Sequence, residues 1–266
     1  MNNPAWRDYW KSKTATQRLA TLVAAVLALF QVYTALFGAL DALLQRTIHL
    51  GMGMVLLFLV KPGVRARRTD GRLGWPDWLA IILVVLATGY HLTHYTWLME
   101  ERFSLITKLH WYELALGVAA IVLVLESTRR MFNKGLLLVV LVFLAYPFIG
   151  PYLIGPFHTM AVGVKDVVDF NYLALGGIYG IPLGVSATEI ALFVIFGSIL
   201  LHSGGAALFS SLATSLTGGM VGGPAKVAVV ASSLMGTITG SGAANVATTG
   251  VVTIPMMKKA GYSPAF

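Results

Sequence analysis

Six apolar stretches of roughly 14 to 22 residues follow one another along this chain, separated by short segments that carry most of its charge. They are Leu19–Leu40, residues 42–60, Leu79–Leu98, Tyr112–Leu125, Gly135–Ile154 and Ala187–Leu201. Because lipid satisfies no backbone hydrogen bond, such stretches must cross a bilayer as helices. Only 11% of the residues are charged, against about 25% in a typical soluble domain. We therefore predict an all-α integral membrane protein with about six transmembrane helices.

The basic residues fall mainly on one side of these predicted spans. With the N-terminus placed in the cytoplasm, 15 of the 19 Lys and Arg residues lie in inner segments. Cytoplasmic segments of membrane proteins carry such an excess. The sequence therefore predicts a multi-pass protein with a cytoplasmic N-terminus. The net charge of +8 reflects this topology and does not indicate a nucleic-acid partner.

The last apolar region, Gly222–Tyr262, is interrupted at its middle by a polar centre, residues 236–245, which contains three glycines. Each flanking arm has about fifteen residues and reaches only ~22 Å, short of a hydrocarbon core of ~30 Å. We predict that the six spans are followed by a re-entrant helical hairpin with a broken Gly/Ser tip at mid-depth. The pattern leaves one alternative open, since small residues such as Gly236 and Gly240 also mark close helix packing in membranes.

A broken tip at membrane depth is typical of a binding site, because unwound backbone is tolerated there only inside protein or beside water. The first arm ends in free carbonyls, which favour a cation, and the second begins with free N–H groups, which favour an anion. No Asp or Glu follows Glu189, so a cation must use neutral oxygen ligands, which suits Na⁺. The predicted cation ligands are Thr237, Thr239, Gly240, Ser241 and Asn245, and the predicted substrate-binding residues are Ser241, Gly242, Ala243 and Asn245.

Two other features suggest chemistry less specifically. His91 and His94 lie three residues apart, near His110 and Glu113, and could bind a metal in an intramembrane enzyme. No third ligand has clear spacing, and Ser241 has no nearby base, so we expect interfacial hydrogen bonding and no catalysis. Glu189 could gate or bind a cation, or it could lie at a helix N-terminus, where the helix dipole favours a negative charge.

Three long strings near the C-terminal end resemble a known family. They are Gly222–Val227, Ser232–Val246 and Ile254–Tyr262. Together they resemble the fused permease of TAXI-type TRAP (tripartite ATP-independent periplasmic) transporters, in which small and large membrane subunits are joined in one chain. One departure is Gly242-Ala243-Ala244, where relatives often have bulkier residues.

The resemblance implies a Na⁺-coupled importer of an organic anion, a carboxylate, in the bacterial inner membrane. A periplasmic substrate-binding protein of the TAXI type would deliver the substrate, and membrane lipids would surround the permease. Residues 1–134 would form a scaffold like the small subunit. Residues 135–184 would provide a linker helix and a periplasmic connection, and residues 185–266 would begin the large transport subunit, with its first hairpin at 222–262.

The resemblance also implies that a second inverted repeat completes the site. Because no second copy of the Gly-Ser-Gly centre is found, we expect a truncated reading frame, a fragment or half of a split permease. The remaining half of the large subunit would then be a partner. The alternative function is a scaffold subunit of the membrane that transports nothing itself.

Overall fold

The computed structural model describes residues 13–63, 73–237 and 242–263, with backbone alone at 243, 244 and 247. Within these ranges the chain is helical and contains no β-strand, which confirms the predicted all-α class. The helices are α1 Ala15–Phe37, α2 Ala42–Val60, α3 Trp75–Thr93, α4 Trp111–Met131, α5 Lys134–Ile149, α6 Val164–Val168, α7 Ile181–Val185, α8 Ala191–His202, α9 Gly205–Thr217, α10 Gly223–Gly236 and α11 Gly242–Lys259.

Six helical segments are long and apolar enough to cross a membrane, as predicted. They are Ala15–Phe37, Ala42–Val60, Trp75–Thr93, Trp111–Met131, Lys134–Tyr152 and Ile181–His202. The fourth runs past its predicted end at Leu125, because Glu126 forms ion pairs with Arg129 and Arg130 on the same helix. Such pairs three and four residues apart let charged residues continue a helical turn. The sixth begins six residues before its predicted start at Ala187 and includes a π-helical turn, Ser186–Ile190.

The chain divides into two compact units, one up to Thr188 and the other from Glu189 onwards. In the first, α1 to α4 pack in sequence order. At one end of these helices, Arg130 on α4 connects to α3 and to the end of α2. Its guanidinium donates to the buried Asp77 carboxylate at 2.6 Å and to the carbonyl of Lys61 at 2.9 Å. A carboxylate with no exposure to solvent is tolerated only when it is paired in this way.

At the other end of the first unit, the connection that follows α5 folds back onto α4. Tyr172 is fully buried there, and its hydroxyl donates to the carbonyl of Ala87 at 2.9 Å. Gly117 on α4 permits this approach, because a Cβ at this position would overlap the side chain of Val168. The connection is therefore part of the core of the first unit.

This close approach gives a prediction for two helical glycines. Gly117→Ala should destabilise the protein by about 1–3 kcal/mol, since the added methyl group overpacks a closed contact. Gly89→Ala on α3 is the matched control, because a Cβ there meets no atom within 4 Å. It should stabilise by up to ~1 kcal/mol through helix propensity. Equilibrium unfolding in mixed micelles measures both, and equal signs for the two variants would contradict the proposed packing.

In the second unit, α9 and α10 pack closely, and α11 packs mainly against α10. The core of the unit consists of small and branched side chains, namely Ala213, Val227 and Ala231, with Val230 and Met256 packed against them. Small residues let membrane helices approach closely without a large apolar core. On α9, Leu208, Leu212 and Leu216 lie four residues apart on one helical face, and all three are exposed.

Candidate functional site

The hairpin consists of two separate helical arms, α10 with 14 residues and α11 with 18. At 1.5 Å per residue these arms measure about 21 and 27 Å, less than a hydrocarbon core of about 30 Å. Neither arm is among the described helices that are long and apolar enough to cross a membrane. These lengths accord with a re-entrant hairpin, whose depth in the membrane stays a prediction.

Glycines hold the base of the hairpin together. Gly222, with a φ of 71°, starts α10, and a Cβ on the next residue, Gly223, would overlap the carbonyl oxygen of Gly218. The second arm ends in a Schellman motif, with Gly261 at a φ of 90° and the Tyr262 N–H donating to the carbonyl of Met257 at 3.2 Å. A Cβ at Gly222 would lie 3.7 Å from the Tyr262 hydroxyl, so the two arms meet at this end.

At the other end, the first arm finishes at Gly236, and Thr237 terminates it. The Thr237 hydroxyl donates to the carbonyl of Leu234 at 2.7 Å, and its N–H donates to the same carbonyl at 3.3 Å. This cap satisfies one of the last carbonyls of the arm. The carbonyl end that the sequence predicts for a cation therefore lies at Gly236 and Thr237.

Asn245, in the first two turns of α11, connects the arms near the tip. Its Nδ2 donates across the hairpin to the carbonyl of Ser232 at 2.9 Å. Its Oδ1 is buried and has no hydrogen-bond partner among the described residues. Leaving a buried carbonyl oxygen unpaired costs about 1–3 kcal/mol. Among the described residues this oxygen is thus a free acceptor, and the bond from Nδ2 orients the amide that carries it.

Two residues that the sequence reading did not select extend the polar face of the second arm. Thr249 and Thr253 follow Asn245 at four-residue intervals, and both are buried. Each hydroxyl donates to the carbonyl four residues earlier, at 2.8 and 2.9 Å. The i, i+4, i+8 spacing of Asn245, Thr249 and Thr253 places them on one face of a helix, so this polar stripe could have been predicted from the sequence.

The predicted site residues are placed as follows. Thr237 lies at the end of α10, while Gly242 and Ala243 begin α11 and offer its first backbone N–H groups. Asn245 reaches back to α10. Thr239, Gly240 and Ser241 lie outside the described residues. The structure therefore joins the start of α11 to α10 at Ser232 through Asn245, and the site itself stays a prediction.

A second polar cluster lies within the spans of the first unit, and the sequence reading missed it. Gln45 is buried and donates to Thr34 Oγ1 at 3.2 Å and to the carbonyl of Ala187 at 3.0 Å. Gln31 Nε2 lies 2.7 Å from His49 Nδ1. The sequence could have indicated this cluster, because polar residues inside apolar spans usually face the interior of a helix bundle. Through these bonds the start of the sixth span is attached to α1 and α2.

The two histidines of span three do not share one environment. His91 is fully buried, with Nε2 2.8 Å from the carbonyl of Tyr172, whereas His94 is exposed and stacks on Tyr90. Among the described residues no group of three His, Asp or Glu side chains could hold a metal ion. Glu113 accepts from the Tyr90 hydroxyl at 2.6 Å. Glu189 is exposed in the π-helical turn, and its role stays a prediction.

Comparison with known proteins identifies the family. Residues 119–266, more than half of the chain, match the family model "Tripartite ATP-independent periplasmic transporter, DctM component". Over 83 residues the chain is 37% identical to "Uncharacterized protein YgiK" of Salmonella typhimurium strain LT2, a match that covers 31% of this chain and 19% of that protein. No solved structure matches the chain.

These findings confirm the predicted resemblance to TRAP transporters, whereas the TAXI type and the fusion stay predictions. The family is a transporter component and not an enzyme, and together with the six spans it makes the protein a multi-pass protein of the inner membrane. The chain spans about a fifth of the length of the curated relative that it matches. The chain belongs to the DctM component family of tripartite ATP-independent periplasmic transporters.

Proposed function

We propose that this chain is the permease part of a Na⁺-coupled TRAP transporter of the TAXI type, with small and large membrane subunits fused. It would import an organic carboxylate that a periplasmic substrate-binding protein delivers. The remaining half of the large subunit would complete the transport site. The single observation that supports this function most directly is the buried Oδ1 of Asn245 near the hairpin tip, which accepts no hydrogen bond from any described residue.

Asn245 Oδ1 has the chemistry of a Na⁺ ligand. Na⁺ is a hard cation that takes neutral oxygen ligands, and the amide oxygen is fixed in place because Nδ2 is already bonded to the carbonyl of Ser232. The C-terminal carbonyls of α10 and the predicted ligands Thr237, Thr239, Gly240 and Ser241 would supply the other oxygens. With no acidic residue after Glu189, the bound ion would keep its full positive charge.

That charge provides a physical basis for coupling. A carboxylate at the start of α11 would meet the free N–H groups of Gly242, Ala243 and the next residues, at the positive end of the helix dipole. In a site surrounded by protein and lipid, these partial charges balance a full negative charge only when the cation is also present. Substrate binding would therefore require Na⁺.

Other features support the fused arrangement. The helix α5 has no buried residue, as expected of a linker that mainly returns the chain across the membrane. The connection after it, by contrast, packs against α4. In this proposal residues 1–134 are the scaffold, 135–184 the linker and periplasmic connection, and 185–266 the start of the transport subunit, with the N-terminus in the cytoplasm.

Binding of ²²Na⁺ to the purified chain tests the cation site. Asn245→Ala should weaken Na⁺ binding by about 5- to 150-fold, which corresponds to the ~1–3 kcal/mol of one buried polar group. Asn245→Asp loses the Nδ2 donor but keeps an oxygen and adds a charge, so binding should persist. Thr253→Val is the matched control two turns further along the same stripe, because its hydroxyl is already used by its own helix.

The outcomes separate the alternatives. Equal loss in Asn245→Ala and Asn245→Asp would mean that the bond to Ser232 matters and the free oxygen does not. Unchanged affinity in both variants would place the cation elsewhere. If the wild-type chain shows no saturable binding of Na⁺ even when the remaining half of the large subunit is supplied, the scaffold subunit becomes the better description of the chain.

A further inference from the structure

A cleft of about 340 Å³ opens in the first unit between α1 and α2, at the end where α1 begins and α2 finishes. Its walls and mouth are formed by Thr16, Gln17, Ala20, Leu59, Val60, Lys61, Pro62 and Leu73. Both helices are candidate membrane spans, and Lys61 directly follows the second of them. The cleft therefore lies where the hydrocarbon core gives way to the polar surface of the membrane.

The residues that line the cleft form an apolar group and a polar group. Ala20 and Leu59 are buried at its floor, and Val60, 59% exposed, continues the apolar wall outwards toward lipid. The polar lining residues are Thr16 and Gln17 in the first turn of α1 and Lys61 directly after α2, where both helices reach the polar surface of the membrane. Such a division matches an amphiphile whose chain lies along the apolar wall and whose headgroup meets the polar mouth.

Lys61 is available to such a headgroup. It is partly buried, and its ammonium group forms no ion pair with any described residue. Its own carbonyl and the nearby carboxylate of Asp77 are both occupied by Arg130. A partly buried cation that no described acidic group neutralises favours an anion at the mouth of the cleft.

The surrounding sequence strengthens this preference. Residues 1–18 and 61–72 together contain nine Lys and Arg residues but only two acidic ones, Asp8 and Asp70. In sequence, the first segment runs into the start of α1 and the second follows α2 directly. Basic pockets between transmembrane helices are sites for anionic lipid headgroups, and each Lys or Arg near the surface contributes about 1 kcal/mol.

We propose that this cleft is a binding site for an anionic phospholipid, with the phosphate at Lys61 and an acyl chain along Ala20, Leu59 and Val60. The apolar wall favours a lipid over a soluble phosphate, because a free phosphate would gain nothing from contact with Val60 and Leu59. The site does not depend on the proposed Na⁺ site, since all of its residues belong to the first unit.

Native mass spectrometry of the delipidated full chain tests the proposal, with phosphatidylglycerol and the zwitterionic phosphatidylcholine as probes. The wild type should retain phosphatidylglycerol in preference. Lys61→Gln should weaken its binding about fivefold, whereas Lys61→Arg should keep it. Lys134→Gln is the matched control, an exposed lysine outside the cleft. Val60→Trp should also weaken binding, because the indole fills the cleft from an exposed position.

Two results would overturn the site. One is equal retention of the two lipids by the wild type, and the other is the same loss in Lys61→Gln and Lys134→Gln. Competition by millimolar inorganic phosphate would show that the site binds a free anion, and the lipid assignment would then be wrong. If Lys61→Gln does not fold, comparing Lys61→Arg with Val60→Trp still tests the site. Only Val60→Trp should lose binding of phosphatidylglycerol.

Discussion

Replacing Arg130 with alanine is expected to destabilise the first unit by about 3–5 kcal/mol. The Arg130 side chain is 7% exposed and the Asp77 side chain is not exposed at all, so the variant leaves a buried carboxylate without its cation. It also removes the bond to the Lys61 carbonyl and the contact of the guanidinium with the Phe58 ring, 4.6 Å from the ring centroid. Equilibrium unfolding by SDS in mixed micelles, followed by circular dichroism, measures the change.

Arg129→Ala is the matched control, because Arg129 directly precedes Arg130 on α4 and, like Arg130, donates to Glu126. Its side chain is 51% exposed, and exposed pairs three residues apart contribute only a few tenths of a kcal/mol. The double variant Arg130→Ala with Asp77→Asn should recover part of the loss, since no unpaired charge stays buried. Equal losses in Arg129→Ala and Arg130→Ala would show that the buried pair is not what holds α2, α3 and α4 together.

The number of the candidate membrane spans and their helical type could be predicted from the sequence for one physical reason. Lipid excludes unpaired backbone groups, so a long apolar run has essentially one regular structure available to it. The ends of the helices were less predictable, because they depend on polar side chains. Hydropathy ends the fourth span at Leu125, but pairing of Glu126 with Arg129 and Arg130 carries the helix to Met131.

The hairpin could be predicted only in outline. Glycines and short arms indicate a break, and the choice of Asn245 followed from the lack of acidic ligands. That Asn245 bonds to Ser232 could not be read from spacing, since the alignment of two antiparallel arms depends on the geometry of the turn between them. The structure also contains an ion pair between Arg102 and Asp169 that could not be predicted from the sequence. These residues are 67 positions apart, and no local pattern joins them.

Breaking the pair between Arg102 and Asp169 should have an effect as large as that of Arg130→Ala. The guanidinium donates to both carboxylate oxygens, at 3.0 and 2.7 Å, and both side chains are nearly inaccessible to solvent. The pair attaches the connection after α5 to the segment between α3 and α4. Asp169→Asn should therefore cost about 3–5 kcal/mol in unfolding free energy, because it leaves the buried Arg102 with an uncompensated charge.

The pH dependence of this loss distinguishes the ion pair from simple packing. Burial alone would raise the pKa of Asp169, but the bonds from Arg102, the Leu105 N–H and the Ser104 hydroxyl outweigh it and hold the pKa below its ordinary value of 3.8. A lowered pKa in the folded state gives stability that is present above the ordinary pKa and is lost as the pH falls through the folded value.

The difference in unfolding free energy between wild type and Asp169→Asn should therefore stay constant from about pH 8 to pH 5 and shrink below about pH 4. Comparing the two proteins at each pH cancels the titration of the other carboxylates. Asp166→Asn is the matched control, an exposed residue that only caps α6 through the Gly163 N–H, and it should cost less than about 1 kcal/mol at any pH. A gap between wild type and Asp169→Asn that persists unchanged at pH 3 would mean that the carboxylate contributes by its shape, because a contribution from its charge must fall once the unfolded chain takes up a proton at Asp169.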